Sequence, residues 1–265
     1  MLEEYYKMFK LITGFEPYKH QEDVMEFLFQ GKSIILHAPT GSGKSESVLI
    51  PFMLSLNERL PSQMIYSLPV RTLVNDISDR FKKYANFKWI NVVGHHGKRV
   101  ETPLFYPPII ITTIDQTIGA YACTPLSMSV RHGNIPAGAV SSAFLVFDEV
   151  HTFDPKLAFQ SSLLLAKHSE TFKLPFVFMS ATMPNVFIKK LKEKFKKIEV
   201  EKIEANEKDI PRRKNRNVIV YWENKKLDAN SVIEKYEETE NKLIVVCNTV
   251  GKAQDIYKKV KDKVS

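Results

Sequence analysis

Cysteine is scarce: Cys123 and Cys247 are the two in 265 residues, and they lie far apart with no paired spacing. That excludes a disulfide framework and a zinc knuckle, and it fits a reducing cytoplasm. Long apolar runs are missing too, since none reaches the roughly 20 residues needed to span a bilayer. The opening stretch, MLEEYYKMFKLITGFEPYKH, is polar and aromatic rather than basic and then apolar, so no signal peptide is expected. No repeat of fixed period occurs, which sets aside solenoids and propellers. The expectation from these absences is a soluble, cytoplasmic chain with no membrane partner.

What is present is 44% hydrophobic residues, enough for one large core and part of a second. The 38 Lys and Arg outnumber the 30 Asp and Glu to give +8, a balance that suits a polyanion without specifying one. Apolar runs of buried-strand length recur at Ser33–His37, Gln63–Leu68, Trp89–Val93, Pro108–Thr112, Ala143–Phe147 and Pro175–Met179. Helical-period stretches lie between most of them, at Ser45–Leu56, Arg71–Tyr84 and Pro155–His168. This alternation predicts an α/β fold with a parallel sheet sandwiched by helices. The lysine-rich Ile188–Lys197 reads as the solvated face of a helix. The run 201–217, EKIEANEKDIPRRKNRN, is charged and nearly free of apolar residues, and reads as a linker. The expected division is a first domain at 1–205, a linker at 206–217 and a second α/β unit at 218–265. In that second unit, Val218–Trp222 and Leu243–Cys247 read as strands, and Ser231–Tyr236 and Lys252–Val260 as helices.

Two clusters carry chemistry. In SIILHAPTGSGKSES (33–47), Ala38, Gly43, Lys44 and Ser45 fit the Walker A pattern [AG]xxxxGK[ST] between a strand and a helix. Gly41 and Gly43 let the turn from Thr40 through Ser42 to Glu46 point backbone amides inward, where the helix dipole also favours phosphate. Lys44 suits the β and γ phosphates of ATP, and the Ser45 hydroxyl suits the bridging Mg²⁺. In AFLVFDEVH (143–151), an apolar strand delivers Asp148 and Glu149 to its C-terminal edge, where open α/β sheets bind ligands. Asp148 suits Mg²⁺, usually through water, and Glu149 suits orienting an attacking water. Alone, such a pair is most often a solvated loop; beside a Walker A loop it reads as its catalytic partner, with His151 closing the box.

HAPTGSGKSE, DEVH and the SAT of MSATMP resemble motifs I, II and III of superfamily 2 helicases in order and spacing. The resemblance implies a P-loop RecA-like fold in which Ser180 and Thr182 bond toward His151 and couple nucleotide state to the nucleic-acid track. GFEPYKHQ (14–21) is similar to the Q motif, although one residue short and without its second proline. By that resemblance Gln21 reads the adenine edge, and Tyr18 or Phe15 offers a stacking ring. SLPVRTLVNDISDRF resembles motif Ia and implies strand contacts at Pro69, Arg71 and Thr72; ITTIDQ resembles motif Ib and implies contacts at Thr113 and Gln116. GHHGKR (94–99) reads as a basic loop facing phosphate, because adjacent histidines point apart and no further ligand sits at metal spacing.

TTIDQ, RHGNIP, DEVHTFD and VCNTVGKAQDIY are similar to the helicase subunit of type I CRISPR interference. That implies an ATP-driven translocase on single-stranded DNA, working with a Cascade-type complex. Its histidine–aspartate nuclease would be a separate chain or lie outside these residues, as no His-Asp pair occurs here, and the resemblance points to systems with split helicase and nuclease subunits. The resemblance runs from about Gly14 to Tyr257, and motifs V and VI, with their arginine finger, have no counterpart. A truncated second RecA-like domain and impaired hydrolysis are therefore expected. A DEAD or DExH RNA helicase, and an ATP-responsive clamp that does not unwind, stay open as other readings.

Overall fold

Alternation of side chains along each apolar run builds a sheet that is buried on both faces. The computed structural model describes residues 2–56, 58–183, 185–195, 200–205, 227–238, 243–261 and 263. The chain divides into two units, 1–215 and 216–265. In the first, α1 (Leu2–Thr13) and α2 (Lys19–Phe29) precede β1 (Ser33–His37), α3 (Lys44–Leu54), β2 (Met64–Leu68), α4 (Arg71–Ala85) and β3 (Val92–His95). Then come β4 (Ile109–Thr113), α5 (Ile114–Tyr121), α6 (Asn134–Ser142), β5 (Phe144–Phe147), α7 (Ala158–Thr171), β6 (Phe176–Ser180), α8 (Asn185–Lys194) and β7 (Val200–Glu204). The strands form one sheet in the order β3-β4-β2-β5-β6-β1-β7. All of its pairings are parallel.

Period-2 alternation sorts the core into two layers. Ile34, Leu36, Met64, Tyr66, Ile109, Ile111, Phe144 and Val146 face one way, against Tyr5, Phe9, Leu28, Phe52, Val74 and Phe81 of α1 to α4. Ile35, Ile65, Ile110, Leu145, Phe147 and Phe178 face the other way, against Ile114, Val140, Leu163, Leu165 and Leu191 of α5 to α8. No described helix is long and apolar enough to cross a membrane.

Several boundaries differ from the sequence expectation. The third strand begins at Val92, not Trp89: a 3₁₀ turn at Asn86–Lys88 leaves Trp89 left-handed, with φ 55°, and 92% exposed. The linker does not begin at Glu201, because Val200–Glu204 pairs with β1 from Ser33↔Val200 to His37↔Glu204. Its charges are tolerated because this is a sheet edge, where Lys32 meets Glu201 at 3.3 Å and His37 meets Glu204 at 3.3 Å, and only Ile203 of the strand is buried. The helix read at Pro155 starts at Ala158, after Asp154 Oδ1 accepts the amides of Lys156 and Leu157. Helices α1, α2, α5 and α6 were not expected.

The second unit contains α9 (Ala229–Glu237), capped by Asp228, whose side chain accepts the Ser231 amide at 2.9 Å, and α10 (Val250–Val260), capped by Thr249. Leu243–Cys247 is not a strand among the described residues, since nothing described pairs with it and Ile244 and Val246 stand exposed. The linker 206–217 and the expected strand Val218–Trp222 lie outside the described residues.

Phe144 is fully buried and stacks on Phe52 at 6.1 Å between β5 and α3. Phe144→Ala is expected to lower the unfolding free energy by about 3–5 kcal/mol, measured by denaturant titration with an unchanged m-value.

Candidate functional site

Strands β1, β6, β5 and β2 are neighbours, so the loops leaving their C-terminal ends share one edge. From β1, the turn at residues 38–43 runs into α3. Its two glycines take left-handed conformations, Gly41 at φ 75° and Gly43 at φ 80°, that side chains with a Cβ avoid. A Cβ on Gly43 would also sit 2.3 Å from the Gln21 amide nitrogen. The loop is tied sideways by the Ala38 amide, which donates to the Ser180 carbonyl at 3.2 Å.

Lys44 is buried. Its Nζ donates to the carbonyls of Ala38 at 3.1 Å and Pro39 at 3.4 Å and lies 3.9 Å from Glu149 Oε1. The cation thus folds over the loop that would cradle phosphate. Thr40 and Gly41 are exposed beside it, while Ser42 is buried.

From β5, Asp148 is buried and accepts two hydrogen bonds, from the Tyr66 hydroxyl at 2.6 Å and from the Glu149 amide at 2.8 Å. Burial pushes its carboxyl up to about 6, and the Glu149 charge adds to the rise, against the Tyr66 hydrogen bond and the Lys44 charge. Glu149 takes a left-handed backbone, φ 52° and ψ 41°, a strain on the order of 1–3 kcal/mol for a residue with a Cβ. The Thr152 amide and hydroxyl both donate to its carbonyl, at 2.9 and 2.7 Å, and hold it there.

His151 and Ser180 meet at 2.8 Å through Nδ1 and Oγ. Since the Ser180 hydroxyl donates to the Thr182 carbonyl at 2.9 Å, its lone pair is free to accept from Nδ1–H of His151. Thr182 joins this pair through its backbone carbonyl and amide, and its side chain is exposed.

Gln21 lies under the loop. Its Oε1 accepts the Tyr18 amide at 2.8 Å and its Nε2 donates to the carbonyls of Gly43 at 3.0 Å and Ser42 at 3.4 Å. Both ends of the amide are engaged within the protein, so Gln21 braces the turn here rather than opening toward a base. Beside it a cleft of about 240 Å³ is lined by Phe15, Tyr18, Gln21, Gly43, Arg80 and Tyr84, among others. Glu46 meets Arg80 Nε at 3.4 Å and the Tyr84 hydroxyl at 3.4 Å, which orients these two α4 side chains on the cleft wall. Neither belongs to a motif in the sequence; their i, i+4 spacing, which puts them on one helix face, is the available signal.

The expected strand contacts separate into two groups. Arg71 and Thr72 are exposed at the start of α4, with Pro69 half-buried beside them. Thr113 and Gln116 are buried, and Gln116 hydrogen-bonds His95. The tract at residues 94–99 likewise does not present its histidines to solvent. His95 accepts the Thr102 amide at 3.4 Å and faces Ser127 at 3.3 Å, while His96 bonds Asn75 at 3.1 Å. Burial holds both imidazoles below their usual range, which favours the neutral ring. Lys98 is the exposed cation of that turn, and Arg99 is paired with Glu101.

A parallel sheet with a left-handed glycine turn feeding a helix, beside an acidic strand end, is the architecture of P-loop RecA-like folds. The DEAD/DEAH box helicase family profile matches residues 18–191, and the chain belongs to that family. A Methanocaldococcus jannaschii protein named CRISPR-associated nuclease/helicase Cas3 is 26% identical, over 96% of this chain and 37% of its own length. The CRISPR-associated helicase Cas3 of Thermoproteus tenax is 27% identical over 86% of this chain and 41% of its own length. The crystal structure of T. fusca Cas3-ATP superposes with a TM-score of 0.55 at 18% identity, covering 71% of this chain and 23% of that one, a likeness of fold. The chain thus spans about two-fifths of these curated relatives.

Gly43→Ala places a Cβ at φ 80° against Gln21. It is expected to cost roughly 1–2 kcal/mol of stability from the left-handed strain alone, read by thermal or denaturant unfolding; Gly138→Ala, with open space around it in α6, should cost nothing.

Proposed function

We propose that this chain carries the nucleotide-holding lobe of an ATP-dependent DNA helicase, a translocase stimulated by single-stranded DNA, in type I CRISPR interference. Its partners on this reading are a Cascade-type complex and a separate histidine–aspartate nuclease, in the cytoplasm. The observation that carries the proposal is the meeting of Lys44, Ser45, Asp148 and Glu149 at one sheet edge, with His151 bonded to Ser180 beside them. Similarity to two proteins named Cas3 supports the CRISPR assignment.

In this reading Thr40 to Glu46 cradle the triphosphate, and Lys44 exchanges two loop carbonyls for phosphate oxygens. Ser45 and Asp148 supply hard oxygen donors that fit Mg²⁺, which when bound neutralises charge between the β and γ phosphates. Glu149, held close to Lys44 and His151, orients the attacking water. Tyr18 and Gln21 serve the nucleoside end. Ser180 and Thr182 relay the state of His151 toward the strand. Arg71, Thr72 and Pro69 meet the sugar–phosphate backbone, with Thr113 and Gln116 supporting that surface from beneath, so binding is salt-dependent and tolerant of sequence.

Lys44→Ala in the full-length enzyme is expected to lower strand-stimulated ATP turnover by roughly 100-fold or more, as for loss of a fixed charge at a developing anion. Unchanged turnover removes the phosphate assignment. Stimulation by single-stranded RNA in place of DNA would favour the RNA-helicase reading. The 265 residues by themselves are expected to bind ATP weakly and hydrolyse it poorly, without unwinding, since they contain no match to the arginine-finger motif; robust strand-stimulated hydrolysis by this polypeptide contradicts that.

A further inference from the structure

Tyr66 is a fully buried tyrosine in the middle of β2, on a face it shares with Met64 and Leu68. Its ring packs edge-on against Phe81, 5.4 Å between centroids and 80° between planes, a role that phenylalanine would fill equally well. What phenylalanine lacks is the hydroxyl. That oxygen lies 2.6 Å from Asp148 Oδ2 and 3.2 Å from Ser45 Oγ, and so joins the start of α3 to the end of β5. A phenol has one proton, and the shorter contact to a carboxylate takes it. The Ser45 hydroxyl then donates to the phenol oxygen.

The two groups bridged are those that the proposed function gives to the cation, and they come from separate loops. Asp148 is fixed at both oxygens, Oδ1 by the Glu149 amide and Oδ2 by Tyr66. Without the hydroxyl, Oδ2 loses this partner in a buried setting, and the carboxylate and the serine lose their common tether.

We propose that Tyr66 is a positioning residue for the divalent cation: its hydroxyl ties Ser45 and Asp148 to a common point, keeping together the two side chains that would hold Mg²⁺ directly or through water. This rests on the function proposed above. Groups that orient ligands from behind typically contribute 10–100-fold to metal affinity. Phosphate contacts made by Lys44 and the loop amides do not pass through Tyr66.

The test is isothermal titration of the full-length protein with the non-hydrolysable analogue AMP-PNP, in excess Mg²⁺ and again in EDTA, for wild type, Tyr66→Phe and Phe81→Leu. Tyr66→Phe is expected to weaken binding about 10-fold or more in Mg²⁺ and to leave binding in EDTA unchanged. Phe81→Leu keeps the hydroxyl and disturbs the ring packing, so it should leave the ratio of the two affinities as in wild type. Equal losses for Tyr66→Phe with and without Mg²⁺ assign the tyrosine a merely structural role and overturn the proposal, as does no loss in either. If wild type itself binds the analogue equally well with and without Mg²⁺, the cation assignment fails first and the role of Tyr66 falls with it.

Discussion

Strands β2, β5, β6 and β1 pair in parallel, and their C-terminal ends lie along one edge of the sheet. Helices cover both faces, so the middle of each strand must be apolar or internally satisfied. The polar side chains these strands do carry are paired: Ser67 with Thr117 at 2.8 Å, Ser33 with the Phe176 amide at 3.1 Å, and Tyr66 with Asp148. Groups that need solvent or a ligand are left at the strand ends. Parallel strands put four of those ends side by side, which is why residues from positions 44 to 180 meet.

Charge balance at that edge follows from burial. Lys44 and Asp148 are both buried and Glu149 is largely covered, so each must find partners inside the protein. Lys44 takes two carbonyls and the near side of Glu149; Asp148 takes a phenol and an amide. The backbone strain at Glu149 belongs to the same account. Its left-handed turn lets consecutive residues send one carboxylate toward Ser45 and the next toward Lys44 and His151. An extended strand would put them on opposite faces.

Legibility in the sequence tracked how local each signal was. The glycine turn and DEVH could be located because each is a short contiguous pattern, and the central strands because a short apolar run has few other uses. Helix α1 is hard to read because its buried positions are the aromatics Tyr5 and Phe9, where aliphatic periodicity is the usual cue, whereas α2 does carry that cue at Val24, Met25 and Leu28, in a stripe only two turns long behind the polar His20 and Gln21. β7 was hidden by its own charges, which only an edge position with cross-strand partners makes acceptable. GHHGKR looked like a basic surface loop, yet packing against Asn75, Ser127 and Gln116 turns its histidines inward, a long-range effect that no local pattern encodes. Arg80, Tyr84 and Tyr66 likewise owe their placement at the site to the meeting of distant elements.

Gln21 shows how tightly that site is interlocked. The side chain cannot turn without releasing the Gly43 carbonyl, and the Cβ-free surface of Gly43 is what admits the amide so closely. Its other end holds the Tyr18 amide, the residue that opens α2 beneath the cleft. On the proposed function, a purine that drew hydrogen bonds from this amide would therefore act on the glycine turn and on the start of α2 at once. Base recognition and the shape of the phosphate loop are then a single equilibrium, and a base that offers Gln21 the wrong pattern is penalised at the phosphates as well as at its own edge.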